Sequence, residues 1–259
     1  RDEDALAVAV VGSRRPTSYG IQTAERLAGD LAKRGITIVS GMARGIDSAA
    51  HAAALDAGGR TVAVLGSGAD VIYPPENRKL ADRIVARGAI VSELPMGAPP
   101  FPAHFPLRKR TIAGLSLGTV VVEARERSGA LITAGFSGEL GREVFAVPGS
   151  ITSEASRGTH RLIQDGAKLI REWSDVVAEL PDAWRRCLKT PTETVESGAA
   201  PAGDERRLLA LLGEQPVHIG ELIERSGIGS GKVAALLLTL ELRGRVRQLQ
   251  GSRYVQVSQ

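Results

Sequence analysis

Ser40-Gly41-Met42-Ala43-Arg44-Gly45-Ile46-Asp47 is the stretch that decides the fold of this 259-residue chain. It separates the β-branched run 37–39 from the alanine-rich segment 48–55, so it predicts a tight turn between a strand and a helix. Its glycines permit the turn and let a ligand approach the backbone closely. Asp47 suits the N-cap of the helix, and Arg44 can hold a phosphate at the open helix end. The stretch therefore predicts a phosphate-binding turn.

Strands and helices alternate on both sides of this turn. Short apolar runs predict strands at 6–11, 36–39, 61–65, 89–92, 119–123, 144–147 and 168–170. Helical periodicity and composition predict helices at 21–34, 48–57, 78–86, 107–115, 131–140 and 158–165. This alternation predicts an α/β fold, with a doubly wound, mainly parallel, extended Rossmann-like sheet over residues 1–180. Ligands bind such sheets beyond the carboxyl ends of the strands.

A second, smaller domain is predicted after a linker. Residues 181–203 are rich in Pro, Thr, Ser, Gly and Ala and lack an apolar period, so they predict a linker. In residues 204–259, three short helices precede a hairpin around Gly251, which describes a winged helix. The third helix is apolar apart from three charged residues, so a structural or protein-contact role is as well supported as DNA binding.

Composition narrows the classes of function without selecting one. The net charge of +4 permits an anionic partner but does not demonstrate one. The lone Cys187 excludes an internal disulfide and a cysteine zinc site, and it favours a reducing, cytoplasmic compartment. No apolar run approaches the roughly 18 residues of a membrane-spanning helix, so we expect no membrane partner. The chain begins at Arg1, and no signal peptide is visible.

Basic residues follow several strands at the predicted ligand edge. Arg14 follows the first strand, Arg44 follows the second, and residues 108–110 read Arg-Lys-Arg. Each could be a solvated surface group, but their convergence on one edge favours a shared anionic ligand. The 108–110 cluster is predicted in the first turn of a helix, where cations oppose the helix dipole, so a nearby anion would explain its position. Ser128 and Gly129 are small donors at another helix start, although a plain cap and turn is the alternative.

The same edge lacks the signature of a nucleotide cofactor. The turn after the first strand does not have the G-x-G-x-x-G spacing, and the second strand ends at Ser40-Gly41 with no acid to bind a ribose. We therefore expect no nicotinamide or flavin cofactor. The four histidines are scattered without ligand spacing, which argues against a metal site.

Six motifs occur in an order that resembles the DNA-processing protein A family (DprA, also called Smf). They are Val10-Val11-Gly12-Ser13-Arg14, residues 40–47, Tyr73-Pro74-Pro75-Glu76-Asn77, Ile112-Ala113-Gly114-Leu115-Ser116, Ser128-Gly129-Ala130-Leu131-Ile132-Thr133 and Phe145-Ala146-Val147-Pro148-Gly149-Ser150. The resemblance covers roughly residues 5–180, and the tail resembles the winged helix of that family. Many members also carry an N-terminal helical domain ahead of the region that the resemblance covers.

The resemblance implies a homodimeric protein that binds single-stranded DNA and has no catalytic activity. It further implies that the protein loads the RecA recombinase onto incoming DNA in natural transformation and displaces single-strand-binding protein. The implied DNA site comprises Arg14, Ser40, Gly41, Arg44, Gly45, Arg108, Lys109, Arg110, Ser128, Gly129 and Lys168. Two positions depart from the family: Lys109 replaces the usual asparagine, and Gly135 stands where a larger residue is common. We expect Arg44 to be the principal cation.

Two other functions remain open at this point. Gly118-Thr119 followed by Glu123 faintly resembles the motif of phosphoribohydrolases of the lysine-decarboxylase-like group, but the paired glycines are absent and the glutamate spacing is wrong. The other alternative is an adaptor whose sheet edge senses a free nucleotide. In that case the affinity for a mononucleotide should rival the affinity for an oligonucleotide.

Overall fold

A computed structural model describes residues 2–189, 203–212, 216–242, 246–249 and 251–256. The chain divides into two compact units, residues 1–191 and residues 192–259, and each is described by itself. In the described part of the chain, no helix is long and apolar enough to cross a lipid bilayer.

The larger unit contains a seven-stranded sheet in which every neighbouring pair is parallel. The strands are β1 (Ala7–Val11), β2 (Thr37–Ser40), β3 (Thr61–Val64), β4 (Ala89–Val91), β5 (Gly118–Val121), β6 (Glu143–Ala146) and β7 (Lys168–Leu169). Their order across the sheet is β4-β3-β2-β1-β5-β6-β7. This confirms the predicted doubly wound, mainly parallel sheet.

Helices connect the strands and cover both faces of the sheet. They are α1 (Ser18–Lys33), α2 (Ile46–Asp56), α3 (Arg78–Arg87), α4 (His104–Gly114), α5 (Gly129–Glu139), α6 (Arg157–Gln164), α7 (Trp173–Ala178) and α8 (Asp182–Arg185). Val8 and Val10 of β1 pack with α1 and α2 on one face, whereas Val11 packs with α4 and α5 on the other. Because β1 is buried on both faces, its sequence is apolar throughout.

The chain reverses direction across the sheet at β1. From β1 the chain adds β2, β3 and β4 on one side, and then returns to add β5, β6 and β7 on the other. The loops that leave β1 and β5 consequently diverge at the carboxyl edge, which opens a crevice between them. This topological switch point determines where a ligand can enter the sheet edge.

The N-terminus of α1 is closed by a carboxylate from the loop after β5. Thr17 is the N-cap, and its backbone N–H and its hydroxyl donate to Glu123 over 2.9 and 2.5 Å. Glu123 is only 2% exposed. In nucleotide-binding Rossmann folds the phosphate lies at this helix start. The Glu123 carboxylate occupies that position here, and α1 begins three residues earlier than the predicted residue 21 because Thr17 supplies the cap.

The structure differs from the predicted linker at its N-terminal end. The segment that follows Pro181 forms α8, and Trp184 and Leu188 pack against the core that includes α1. These two apolar side chains keep the segment on the larger unit although its overall composition is polar. Residues 190–202 of the predicted linker lie outside the described residues.

The smaller unit is a winged helix, as predicted. It contains α9 (Gly203–Leu211), β8 (Val217–His218), α10 (Ile219–Ser226), α11 (Ser230–Leu242), β9 (Val246–Leu249) and β10 (Arg253–Gln256). The sequence did not predict β8, a two-residue strand that pairs antiparallel with β10. Residues 243–245, 250 and 257–259 of the predicted elements lie outside the described residues.

The contact of Glu123 with α1 predicts opposite effects for two alanine substitutions in that helix. A Cβ added at Gly20 would lie 2.4 Å from a carboxylate oxygen of Glu123, whereas a Cβ at Gly29 would meet its nearest neighbour at 3.8 Å. Neither glycine has a positive φ that would itself disfavour alanine. Gly20→Ala should therefore lower the free energy of unfolding by about 1–3 kcal/mol. Gly29→Ala should raise it by about 0.5–1 kcal/mol.

Urea unfolding followed by circular dichroism measures both changes. Equal effects of the two substitutions would show that the Glu123 carboxylate does not lie against the start of α1.

Candidate nucleic-acid interface

A cavity of about 430 Å³ opens at the carboxyl edge, between the loops after β1 and β5. Five cationic side chains line it: Arg14, Arg108, Lys109, Arg125 and Arg127. Asp47 is the only acidic side chain in the described part of the lining. Among the residues that the structure describes, no carboxylate forms an ion pair with any of the five cations. The cavity therefore carries an excess of positive charge.

Arg108 is the most buried of these cations, at 7% exposed. Its guanidinium fits because Gly41 has no side chain: a Cβ there would lie 3.1 Å from Cζ. Phe105 lies beneath it, with the ring centroid 5.0 Å from Cζ. Its buried Nε has no hydrogen-bond partner among the described residues. Burial lowers the pKa of Arg108, and the nearby Asp47 carboxylate opposes that shift.

Asp47 is not the N-cap that the sequence predicted. The N-cap of α2 is Gly45, whose φ of 79° is readily adopted only by glycine, so the helix starts earlier and Asp47 falls inside its first turn. The buried Asp47 carboxylate accepts hydrogen bonds from Gly41 N over 3.2 Å and from Ala43 N over 3.3 Å. Burial raises the pKa of Asp47, while the Arg108 guanidinium acts against this rise. Asp47 thus holds the turn and faces the buried cation.

The basic cluster 108–110 does not lie at a helix start. The prediction that its cations oppose the dipole of their own helix is therefore wrong. Helix α4 begins at His104, so the cluster occupies its second turn. Pro106, which precedes the predicted helix 107–115, falls within the first turn of α4, where proline is tolerated. Because successive helix residues point about 100° apart, the three side chains separate. Arg108 and Lys109 line the cavity, whereas Arg110 points outward and lies 3.6 Å from Glu93.

A helix start does face Lys109, but it belongs to α5. A Cβ added at Gly129, the first residue of α5, would lie 2.9 Å from Lys109 Nζ. Ser128 caps this helix by accepting a hydrogen bond from Ala130 N over 3.3 Å. Burial lowers the pKa of Lys109, and the charges of Arg108 and Arg14 lower it further. A cation held beside the positive end of a helix favours an anion between them.

Three predicted site residues support the turn instead of lining the cavity. The Ser40 hydroxyl is buried and donates to Val10 O over 2.7 Å, and Gly41 N is used by Asp47. At Gly45 the turn after β2 packs closely against the loop after β1, and a Cβ there would lie 2.4 Å from Ser13 O. Their backbone and hydroxyl groups are committed to holding the site.

Arg44 and Lys168 are each paired with a carboxylate. Arg44 lines a second, smaller cavity of about 40 Å³, and its Nε forms an ion pair with Glu76 that raises the pKa of Arg44. Lys168 lies on β7, 2.7 Å from Glu179, and lines neither cavity. Among the described residues, the cations of the larger cavity have no carboxylate partner, so they are better placed than Arg44 to bind an anion.

Sequence reasoning did not single out Arg125 and Arg127. Both are exposed in the loop directly after β5, on the wall of the cavity. Their position in the sequence could have indicated them, because a basic residue that follows a strand in a parallel sheet lies at the ligand edge, as Arg14 does after β1. The sequence did not show that β1 and β5 are neighbours, so the loops could not be placed together.

Both units match known families. The profile of DNA recombination-mediator protein A matches residues 2–181, and that of the DprA winged helix domain matches residues 192–252. The chain is 50% identical to DNA processing protein DprA of Streptococcus pneumoniae over 66% of this chain and 61% of that protein. It is 46% identical to DprA of Bacillus subtilis over 68% of this chain and 59% of that protein. The matched region thus spans about three fifths of these relatives.

Two solved structures support the match. The X-ray structure of DprA from Streptococcus pneumoniae has a TM-score of 0.65 and 48% identity, and the match covers 69% of this chain and 64% of that one. A structure of DprA from Helicobacter pylori, concerned with its single-stranded DNA binding mode, has a TM-score of 0.61 and 32% identity, covering 66% of this chain and 78% of that one.

Because the Asp47 carboxylate faces the buried Arg108 guanidinium, removing its charge should lower the stability of the fold. Asp47→Asn removes the carboxylate charge that faces the buried guanidinium, so the free energy of unfolding should fall by about 2–4 kcal/mol. Asp82→Asn, on the exposed side of α3, is the matched control and should leave the unfolding midpoint in urea unchanged. If the two variants unfold alike, Asp47 does not compensate Arg108.

Proposed function

The chain belongs to the DNA recombination-mediator protein A family, and we propose that it binds single-stranded DNA in the cation-lined cavity at the carboxyl edge of its sheet. Binding is directed at the phosphate backbone and is independent of sequence, because phosphate contacts carry no base information. The proposed contacts are made by the side chains that line the larger cavity and by the start of α5.

One observation carries this proposal: the cavity contains five cations with no ion pair among the described residues and one opposing carboxylate. Arg108 is buried and Lys109 is half-buried, and burying unpaired positive charge is unfavourable unless an anion compensates it. The start of α5 adds further positive potential. A cavity of about 430 Å³ has the size of a small-ligand pocket, which accommodates part of a nucleotide chain. The resemblance to a relative studied for its binding of single-stranded DNA supports the same ligand.

The wider role rests on the family. We propose a non-enzymatic recombination mediator in the cytoplasm that loads RecA onto incoming DNA in natural transformation and displaces single-strand-binding protein. A homodimer would present two such cavities to one strand. The family description as a recombination mediator supports this role. DNA that is held by its backbone leaves its bases available to a recombinase.

A free nucleotide is less well supported as the ligand. The start of α1, where the fold would bind a nucleotide phosphate, is occupied by Glu123. The cation-lined cavity is open and extends towards a second basic cavity, which favours a polymer. Titration with a mononucleotide and an oligothymidylate at one salt concentration separates the two functions. We expect the oligonucleotide to bind at least tenfold more tightly, and equal affinities would favour a nucleotide-sensing adaptor.

Salt dependence tests the electrostatic mechanism. With about four phosphates neutralised, the logarithm of the binding constant should fall against the logarithm of salt concentration with a slope of about −3. Arg14→Gln should weaken binding and reduce the magnitude of that slope by about 0.7. Arg142→Gln, immediately before β6 at the amino edge of the sheet, is the matched control and should change neither quantity.

The ion pairs around the two cavities also predict which arginine contributes more to DNA affinity. The sequence led us to expect Arg44 to contribute most, but its pairing with Glu76 leads us to expect a larger loss for Arg14→Gln than for Arg44→Gln. A salt slope near zero in the unmodified protein would refute the phosphate mechanism altogether.

The lowered pKa of Lys109 predicts a pH dependence of DNA binding. Only the protonated ammonium attracts a phosphate, so affinity should fall as pH rises, and the fall should begin at a lower pH than for an ordinary lysine. Lys109→Arg should flatten this profile because arginine stays charged. Lys33→Arg, in the last turn of α1 at the amino edge, should leave the profile unchanged. Parallel profiles for all three proteins would remove Lys109 from the site.

A further inference from the structure

The predicted DNA-binding cations fall into two groups according to their partners. Those of the larger cavity have no carboxylate partner among the described residues, whereas three others are each paired with a glutamate. The pairs are Arg44 with Glu76, Arg110 with Glu93, and Lys168 with Glu179. A cation that is paired with a glutamate is less available to a phosphate, so a pair matters for DNA binding only if it lies beside the cavity that holds the strand.

Of the three paired cations, only Arg44 itself lines a cavity that adjoins the larger one. Arg44 lines the smaller cavity, and that cavity shares Arg14 and Arg108 with the larger one. The two spaces are therefore neighbours across the same guanidinium groups. Neither Arg110 nor Lys168 lines either cavity. A strand that leaves the larger cavity past Arg14 consequently meets Arg44 next.

The segment that carries Glu76 is fastened to the turn that carries Arg44. Asn77 Nδ2 donates to Met42 O over 2.8 Å and to Ser48 Oγ over 2.9 Å. These bonds tie the segment to both ends of the turn. The short 3-10 helix Pro75–Asn77 then presents Glu76 towards the Arg44 guanidinium. The carboxylate is thus held close to Arg44 by the fold around it.

We propose that Glu76 takes the place of a DNA phosphate at Arg44 and that a bound strand displaces it. This inference rests on the proposed binding of single-stranded DNA. Both side chains are about half exposed or more, and exposed ion pairs contribute little stability, so a phosphate can replace the carboxylate. Pairing lowers the pKa of Glu76, which keeps the competing charge in place at neutral pH.

The consequence is a preference for a polymer. A single anion at Arg44 gains one contact and has to displace Glu76 to obtain it. A strand already held by the unpaired cations of the larger cavity brings its next phosphate to Arg44 at high local concentration. Glu76 therefore weakens the binding of isolated anions at this subsite more than it weakens the binding of a strand.

The test compares three isosteric changes that alter the net charge equally: Glu76→Gln, Glu93→Gln and Glu179→Gln. Affinity for a labelled oligothymidylate is measured by fluorescence anisotropy at low salt, with each variant's fold checked by circular dichroism. We expect Glu76→Gln to bind about two- to fivefold more tightly than the unmodified protein. The other two variants should show at most a small increase caused by the added charge.

A double variant isolates the contact itself. In an Arg44→Ala background, Glu76→Gln should increase affinity no more than Glu93→Gln and Glu179→Gln do, because the carboxylate then has no cation to compete for. An equal gain in all three glutamine variants, no gain for Glu76→Gln, or a full two- to fivefold gain that persists without Arg44 would each overturn the inference while leaving DNA binding intact. Failure of the unmodified protein to bind the oligonucleotide would overturn the proposed function as well.

Discussion

The charge of the buried Arg108 guanidinium has to be compensated, and the arrangement of the carboxyl edge of the sheet depends on this constraint. Arg108 is nearly enclosed, and among the described residues the Asp47 carboxylate is the only acidic group that lines the cation-rich cavity with it. Asp47 also receives the backbone N–H groups of Gly41 and Ala43, so the same carboxylate shapes the turn and balances the cation. The nearby His51 adds no charge, because burial and Arg108 hold its pKa at about 3. One carboxylate opposes five cations, and the remaining charge is available to a ligand.

The fold has two helix starts at which an anion could bind, those of α1 and α5, and a carboxylate of the protein occupies the first. At the start of α1, Thr17 donates to Glu123, so the place of a nucleotide phosphate is filled by the protein itself. At the start of α5, Lys109 lies beside the first residue of the helix, where no described carboxylate pairs with it. Both helix starts have the same dipole, but within the described part of the chain only the second lies beside a cation without a carboxylate partner. The site is consequently displaced from the usual cofactor position towards the α4 and α5 side of the sheet.

Much of the fold could be predicted from local pattern, but the boundaries that matter for the site could not. The strands and helices of the larger unit were found because apolar runs and helical periods are local properties. The sequence predicts Asp47 as an N-cap, because the positive φ of Gly45 is not visible in composition. It predicts that α4 begins after Pro106, whereas the helix begins at His104, so the basic cluster lies one turn further into the helix than predicted. Arg125 and Arg127 were passed over because their loop could be placed beside Arg14 only once β1 and β5 were known to be neighbours.

The sequence by itself determined the class of fold, the family, and the presence of basic residues after successive strands. These depend on residue type and short-range spacing, which a chain carries whether or not it is folded. Tertiary structure alone decided which of those cations have no carboxylate partner among the described residues: Arg14, Arg108 and Lys109 line a common cavity, whereas Arg44, Arg110 and Lys168 each meet a glutamate. The physical reason is that electrostatic interactions act through space and depend on burial. A cation's partner is therefore set by strand order and helix rotation, and neither can be read from neighbouring residues.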